Sequence, residues 1–166
     1  MQRALEAAPE RPSAAKTVAD REYFCFKAGD LHLAIASEHV LEVVRSGPLT
    51  PLPKVPAFIL GVCAHRGEVL PVLDLLRFLG KGAVRIAGKT RLVVGVSGNY
   101  VAGIVADAVT GLRRFRLADI HPVPVSGSGG GEHLLGAVRP DPAANIILLL
   151  DLTKLLHSAR QRAVPR

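Results

Sequence analysis

Cys63 and His65 stand two residues apart, a spacing that puts both side chains on one face of a strand and could pair a thiol with a general base. No third residue that would orient the imidazole is evident, and Cys63 lies inside the apolar run 59–64. A core thiol beside a turn histidine is therefore the expected arrangement. The six histidines (His32, His39, His65, His121, His133 and His157) are scattered, with neither Cys-x-x-Cys nor His-Glu-x-x-His spacing, so neither a metal nor a cofactor is expected. The glycine-rich run 126–131 lacks the Lys-Ser or Lys-Thr of a phosphate cradle and opens no helix; it reads as a flexible connector. Asp74 and Asp107 each follow an apolar strand, where capping or turn roles fit better than catalysis. Arg66 is different. Its guanidinium is planar, permanently charged and able to hold a carboxylate through two parallel hydrogen bonds. That is the chemistry of binding, and no enzyme is expected.

The elements that must position Arg66 follow from local pattern. Residues 59–64 and 69–75 read as short apolar strands joined by the turn His65-Arg66-Gly67-Glu68, where Gly67 can take a positive φ. Arg66 then sits at the tip of a rigid hairpin, either as a solvated turn residue or as a docking contact. Upstream, strands are expected at 23–27, 31–35 and 40–45, the last with Leu41 and Val43 inward and Glu42 outward. Pro51, Pro53 and Pro56 exclude a central strand and make that segment an extended loop. Residues 75–79 form one helical turn closed by Gly80 and Gly82. Further strands are expected at 91–96, 100–105, 109–115, 134–138 and 146–150, then a helix from Leu152 to about Ala159. Short strands at close spacing indicate one or two small barrels in an all-β fold.

Composition agrees. A 166-residue chain can bury a core unaided. It is 49% hydrophobic but only 4% aromatic, so Val, Ile, Leu and Ala must fill that core, as suits small curved sheets. Gly and Pro, at 16 and 12, imply many turns and argue against a helical bundle. No run of about eighteen apolar residues exists and no secretory signal is evident, so a cytoplasmic protein without membrane insertion is expected, with Cys25 and Cys63 as buried free thiols. The net charge of +7 includes three arginines in the last ten residues and the cluster Arg113-Arg114-Phe115-Arg116. Such runs mostly form solvated faces. A small basic β-barrel binding nucleic acid is the alternative, disfavoured because aromatic stacking platforms are missing.

Four motifs in order resemble CheW-like domains, the adaptor modules of bacterial chemosensory arrays. Gly61-Val62, Arg66-Gly67, Pro71-Val72 and Asp74-Leu75 resemble the family's signature hairpin. Residues 103–109 are similar to its Gly-(apolar)-Val-x-Asp-x-Val strand, residues 134–137 to its short strand after the long loop, and residues 145–156 to its closing strand and helix start. The resemblance implies two SH3-like five-stranded barrels packed side by side around a shared apolar core, with a short C-terminal helix. Composition gives a disordered tail at 1–20 and a basic tail at 157–166 around a CheW-like domain at 21–156, whose strands fall into two sets split near residue 85; the resemblance implies that the terminal segments cross between the barrels. It also implies an adaptor joining the signalling tip of a methyl-accepting chemotaxis receptor to the regulatory domain of a CheA-type histidine kinase, with other CheW-like proteins as further partners, in the cytoplasm at receptor arrays. Arg66 falls on the receptor-contacting arginine, and Glu42, Val40 and Gly61 fall on positions sensitive for partner contact. Val40 would supply apolar area or simply core, Glu42 a charge that sets register, and Gly61 a close backbone approach or only hairpin curvature. The family commonly has Asn two places before the signature arginine, where this chain has Ala64. A divergent member that binds receptors but engages kinase poorly is the alternative within the family.

Overall fold

Alternating apolar residues and closely spaced turn signals give ten strands and two helices in the computed structural model, which describes residues 20–123 and 131–163. In chain order they are β1 (Asp20–Ala28), β2 (Leu31–Ala36), β3 (Val40–Arg45), β4 (Ile59–His65), β5 (Glu68–Leu73), α1 (Leu75–Phe78), β6 (Arg91–Ser97), β7 (Tyr100–Ala106), β8 (Ala108–Arg116), β9 (Leu134–Val138), β10 (Ile147–Leu150) and α2 (Leu152–Ala163). They form two five-stranded sheets, ordered β8-β1-β2-β10-β9 and β3-β6-β7-β5-β4. Each sheet curls until a residue beyond its edge strand bridges the opposite edge. Thr50 exchanges two backbone hydrogen bonds with Val62 at 2.8 and 2.9 Å, and His121 two with Ala137 at 2.8 Å. The all-β class with two small barrels and a C-terminal helix is the fold that the chain adopts.

Each barrel has its own apolar interior. Tyr23, Cys25, Phe115 and Leu149 fill the first; Leu70, Val72, Leu92 and Val105 fill the second. The largest cluster lies between them, where Phe26, Ile35, Val93 and Ile104 meet α1 and α2. Helix α2 buries Leu152, Leu155, Leu156 and Ala159, the i, i+3, i+4, i+7 stripe of a helix lying on a core. The aspartates take structural places. Asp74 is buried and caps α1, accepting from Arg77 N at 3.2 Å and Val84 N at 3.0 Å. Asp107 accepts from Gly29 N and so ties the β1–β2 turn to the end of β7.

Three expectations are corrected. Leu41 does not face inward; it is 59% exposed, because β3 carries a bulge that pairs Val40 with Gly95 and Glu42 with Val94, leaving Leu41 as the extra residue. The division near residue 85 does not separate the barrels, since the second sheet runs from Val40 to Ala106 and the first takes strands from both ends of the chain. Of the segment 157–166, residues 157–163 are helix and not tail, while 164–166 lie outside the described residues. Helix α2 continues to Ala163, with Arg160 lying 4.8 Å over the Tyr100 ring and Arg162 4.4 Å over Phe78, so these arginines stack on aromatic faces. The tail at 1–20, apart from Asp20 in β1, lies outside the described residues, as does most of the connector at 126–131.

The boundary near 85 marks something else. Residues 20–79 and 89–163 each run hairpin, strand, hairpin, helix, and their registers match at a constant offset of 69 over the first three strands (26 to 95, 34 to 103, 40 to 109). The bulge at Leu41 recurs at Thr110, where Phe26 pairs with Val109 and Cys25 with Gly111. The parallel pairs Val72–Gly103 and Leu73–Ile104 recur as Leu149–Ala34 and Leu150–Ile35. The helix cap recurs as well, Asp151 accepting from Lys154 N at 3.1 Å.

Gly61 and Gly136 are also counterparts. A Cβ on Gly61 (φ +148°) would lie 2.5 Å from Thr50 O, and one on Gly136 (φ +158°) 2.7 Å from His121 O. Backbone carbonyls cannot yield as a flexible side chain would. Gly61→Ala is expected to lower unfolding free energy by roughly 2–3 kcal/mol in urea titration, whereas Gly67→Ala, with open space at φ +78°, is expected to cost about 1 kcal/mol. Equal losses would contradict a closure set by the Thr50 contact.

Candidate docking site

The β4–β5 ladder pairs Ala64 with Val69 and His65 with Glu68, leaving Arg66 and Gly67 as a two-residue loop. Both have positive φ, +50° and +78°, as the hairpin turn matched to strand twist requires. Gly67 supplies this freely, and Ala64 contributes no side-chain cap. Arg66 is the unexpected member, since a non-glycine residue held there costs about 1–2 kcal/mol.

Its side chain is fixed nonetheless. Arg66 Nε donates to Glu42 Oε2 at 2.6 Å and Nη2 donates to Oε1 at 3.0 Å, a bidentate pair across the gap between the hairpin tip and β3. The bulge at Leu41 sets the register that brings Glu42 to this place. His65 Nε2 lies 3.0 Å from the same Oε2, at ion-pair distance but without hydrogen-bond alignment. The Arg66 side chain is 74% exposed and Glu42 27%, so water screens the pair. The Arg66 hydrogen bonds are the chief cause holding the Glu42 carboxyl below its ordinary range, and the same bonds raise the guanidinium further. Glu42 uses two of the five guanidinium N–H groups, so the Nη1–Nη2 edge is left for a second acceptor.

Around the pair lies a groove of about 410 Å³, lined by Leu41, Val69, Leu70 and Val101 as well as Glu42 and Arg66. Val69 is 73% exposed, a valine on the outward parity of a strand whose Leu70 and Val72 face inward. A second groove of about 360 Å³ runs on between β5, β7 and α2, over Ile59, Pro71, Tyr100 and Leu156. The two share Glu68, Val69 and Val101 and form one concave surface. An apolar floor crossed by an oriented arginine has the composition of a protein contact.

Of the residues singled out in the sequence, the structure brings Arg66 and Glu42 together. Val40 is half-buried and packs on the central core, while Gly61 lies beneath the Thr50 carbonyl. The sequence reading weighed His65 as a base for Cys63 or a turn residue, not as a neighbour of Glu42, and passed over Val69, which the inward parity of Leu70 and Val72 would have revealed. Cys63 is half-buried against the second barrel's interior and Cys25 is buried; burial raises both thiol pKa values, and both thiols are free. Among the described residues no group of three or more His, Cys, Asp or Glu is arranged to hold a metal ion.

Comparison with known proteins finds relatives over most of the chain. A family model described as CheW-like domain matches residues 22–160. The chain is 59% identical over 159 residues to Protein FrzA of Myxococcus xanthus, covering 96% of this chain and 99% of that protein. It is 34% identical over 104 residues to Chemotaxis protein CheW of Rhizobium meliloti, covering 63% and 67%. The crystal structure of scaffolding protein TtCheW from Thermoanaerobacter tengcongensis shares the fold, with a TM-score of 0.71 at 24% identity over 80% of this chain and 84% of that one.

The pair makes a titration prediction. In Arg66→Gln, the Glu42 carboxyl followed by NMR should titrate at higher pH than in the parent protein. Because its folded-state pKa is lowered, the stability that Glu42 contributes is complete above the unfolded-state carboxylate range and is lost as pH falls through the folded value. The small stability gap between parent and variant should therefore be present at neutral pH and close on acidification. A Glu42 titration that Arg66→Gln leaves unmoved would show that the bidentate contact does not form in solution.

Proposed function

The chain belongs to the CheW-like domain family, and from that premise we propose that it is a non-enzymatic adaptor coupling methyl-accepting chemoreceptors to a CheA-type histidine kinase in a bacterial chemosensory array. The observation that carries this reading is Arg66. It occupies a strained backbone position on the tip of a hairpin and is oriented by Glu42, with part of its guanidinium free and an apolar groove beside it. Strain held at an exposed tip serves folding poorly and suits a contact. A receptor's helical tip would lay apolar side chains over Val69 and Val101 and place a carboxylate on the free guanidinium edge, with Glu42 fixing the direction of approach. Val40 and Gly61 would act from below, holding β3 and the hairpin in place. The kinase's regulatory domain, a double barrel of the same family, would pair with a barrel end. The family model and the name of the structural relative, a scaffolding protein, support the adaptor reading. No helix among the described residues is long and apolar enough to cross a membrane. In this reading the protein works on the cytoplasmic side of the array.

Co-sedimentation of the full chain with receptor signalling tips and a CheA-type kinase tests it. Arg66→Gly relieves the left-handed strain, so thermal stability should hold or rise slightly while receptor capture falls about tenfold. Val69→Glu should weaken capture by a similar factor without unfolding the protein. Undiminished capture by both variants would remove the site from this function.

A further inference from the structure

Neither half of this chain contains a whole barrel. The hairpin β1–β2 of the first half completes a sheet with β8, β9 and β10 of the second, and the hairpin β6–β7 of the second completes a sheet with β3, β4 and β5 of the first. Of the eight strand pairings, β1–β2, β4–β5, β6–β7 and β9–β10 lie within a half; β1–β8, β2–β10, β3–β6 and β5–β7 join the two. The monomer has the topology of a dimer in which two equivalent units have traded their first hairpins, with a covalent tether between them.

That tether is short and touches little. Val84 N is bound to Asp74, which anchors it to the first half. Thr90 is buried, and its carbonyl accepts from Ser46 N at 3.5 Å where the second half begins. Residues 85–89 between them are exposed, and their bonds (Ala87 N to Thr90 Oγ1, Thr90 N to Ala87 O, Thr90 Oγ1 to Arg85 O and Arg91 Nη1 to Lys89 O) reach no further than Arg91, at the start of β6. Nothing in either barrel depends on which chain supplies the tether.

We propose that a second copy of this chain is a partner for the surface that each half presents to the other, so that two copies exchange halves about residues 85–89 into a closed dimer. Every contact between the two halves reforms between copies, so chain concentration and hinge length decide the balance. The docking groove persists, because Glu42, Arg66 and Val69 come from the first half while Val94 and Val101 come from the second. The exchanged dimer therefore presents two complete grooves joined through the two hinges, each built from both chains, and binds a clustered target bivalently. This inference does not require that the groove take a receptor.

The test uses a disulfide that reports which chain fills the neighbouring strand. Arg45 and Arg91 are register partners on β3 and β6, so Arg45→Cys with Arg91→Cys closes within one chain in the monomer and between chains after exchange. With the native hinge, oxidised protein should run as a monomer on a denaturing gel, the linkage located by peptide mass. Removing residues 86–88 from the full chain should yield a folded dimer by light scattering with the bond between chains, because a shortened hinge resists folding back. Refolding the native-hinge protein over about a hundredfold range of concentration should raise the interchain fraction with concentration. A shortened chain that remains a folded monomer, or dimerises with its disulfide still internal, overturns the proposal. Should the shortened chain fail to fold, purely intrachain bonds at every refolding concentration overturn it instead.

Discussion

The apolar layer between the two barrels is what the rest of the structure depends on. Neither barrel interior holds more than a handful of buried side chains, and the largest cluster draws Phe26, Ile35 and Leu150 from one sheet, Val93 and Ile104 from the other, and both helices. A small sheet that buries only one face is marginal in water. Here both faces of β6 are used, Leu92 and Val94 toward the barrel interior and Val93 toward the shared layer. The lobes are thereby fixed to each other, and the concave surface that spans β3, the β4–β5 tip, β7 and α2 exists without a ligand to order it. Preorganisation of that kind lowers the entropic cost of binding.

On this frame the Glu42–Arg66 pair has a particular job. An exposed ion pair contributes little to stability, and the backbone of Arg66 works against it. What the pair does supply is direction: a long, flexible cation is held at one angle above Val69 and Leu41 instead of sweeping through solvent. Two device-like features elsewhere serve the same end. Asp74 fixes α1 beneath the hairpin and also holds the start of the tether, and the Thr50–Val62 bridge locks the outer edge of β4.

Much of this was legible in the residues. The signature hairpin, the proline-bearing loop, the Asp74 cap and the strands at 134–138 and 91–96 lie where turn chemistry and period-two alternation place them, because those signals are local. The bulge at Leu41 was not legible: Val-Leu-Glu-Val-Val alternates as well in register as out of it, and only the pairing with Gly95 and Val94 shows the slip. The meeting of Glu42 with Arg66 depends on that slip and on a 24-residue separation in the chain, neither of which has a sequence signature. The extension of α2 to Ala163 was hidden because Arg160 and Arg162 look like tail residues until Tyr100 and Phe78 are placed beneath them. The interleaving of the halves has no local signature either, since strand order is a matter of distant contacts, and only the family resemblance pointed to terminal segments that cross between barrels.

That interleaving bears on how the protein is made. As synthesis proceeds from the N-terminus, β1 and β2 leave the ribosome as a hairpin whose lateral neighbours, β8 and β10, have yet to be translated; Asp20 must wait for Arg116. At about 5–20 residues per second the delay lasts several seconds. Throughout it, Phe26 and Ile35 have no permanent cover and both hairpin edges stand open. A nascent polypeptide in that condition is a natural client for chaperones, and the last strand to emerge sets the moment at which it ceases to be one.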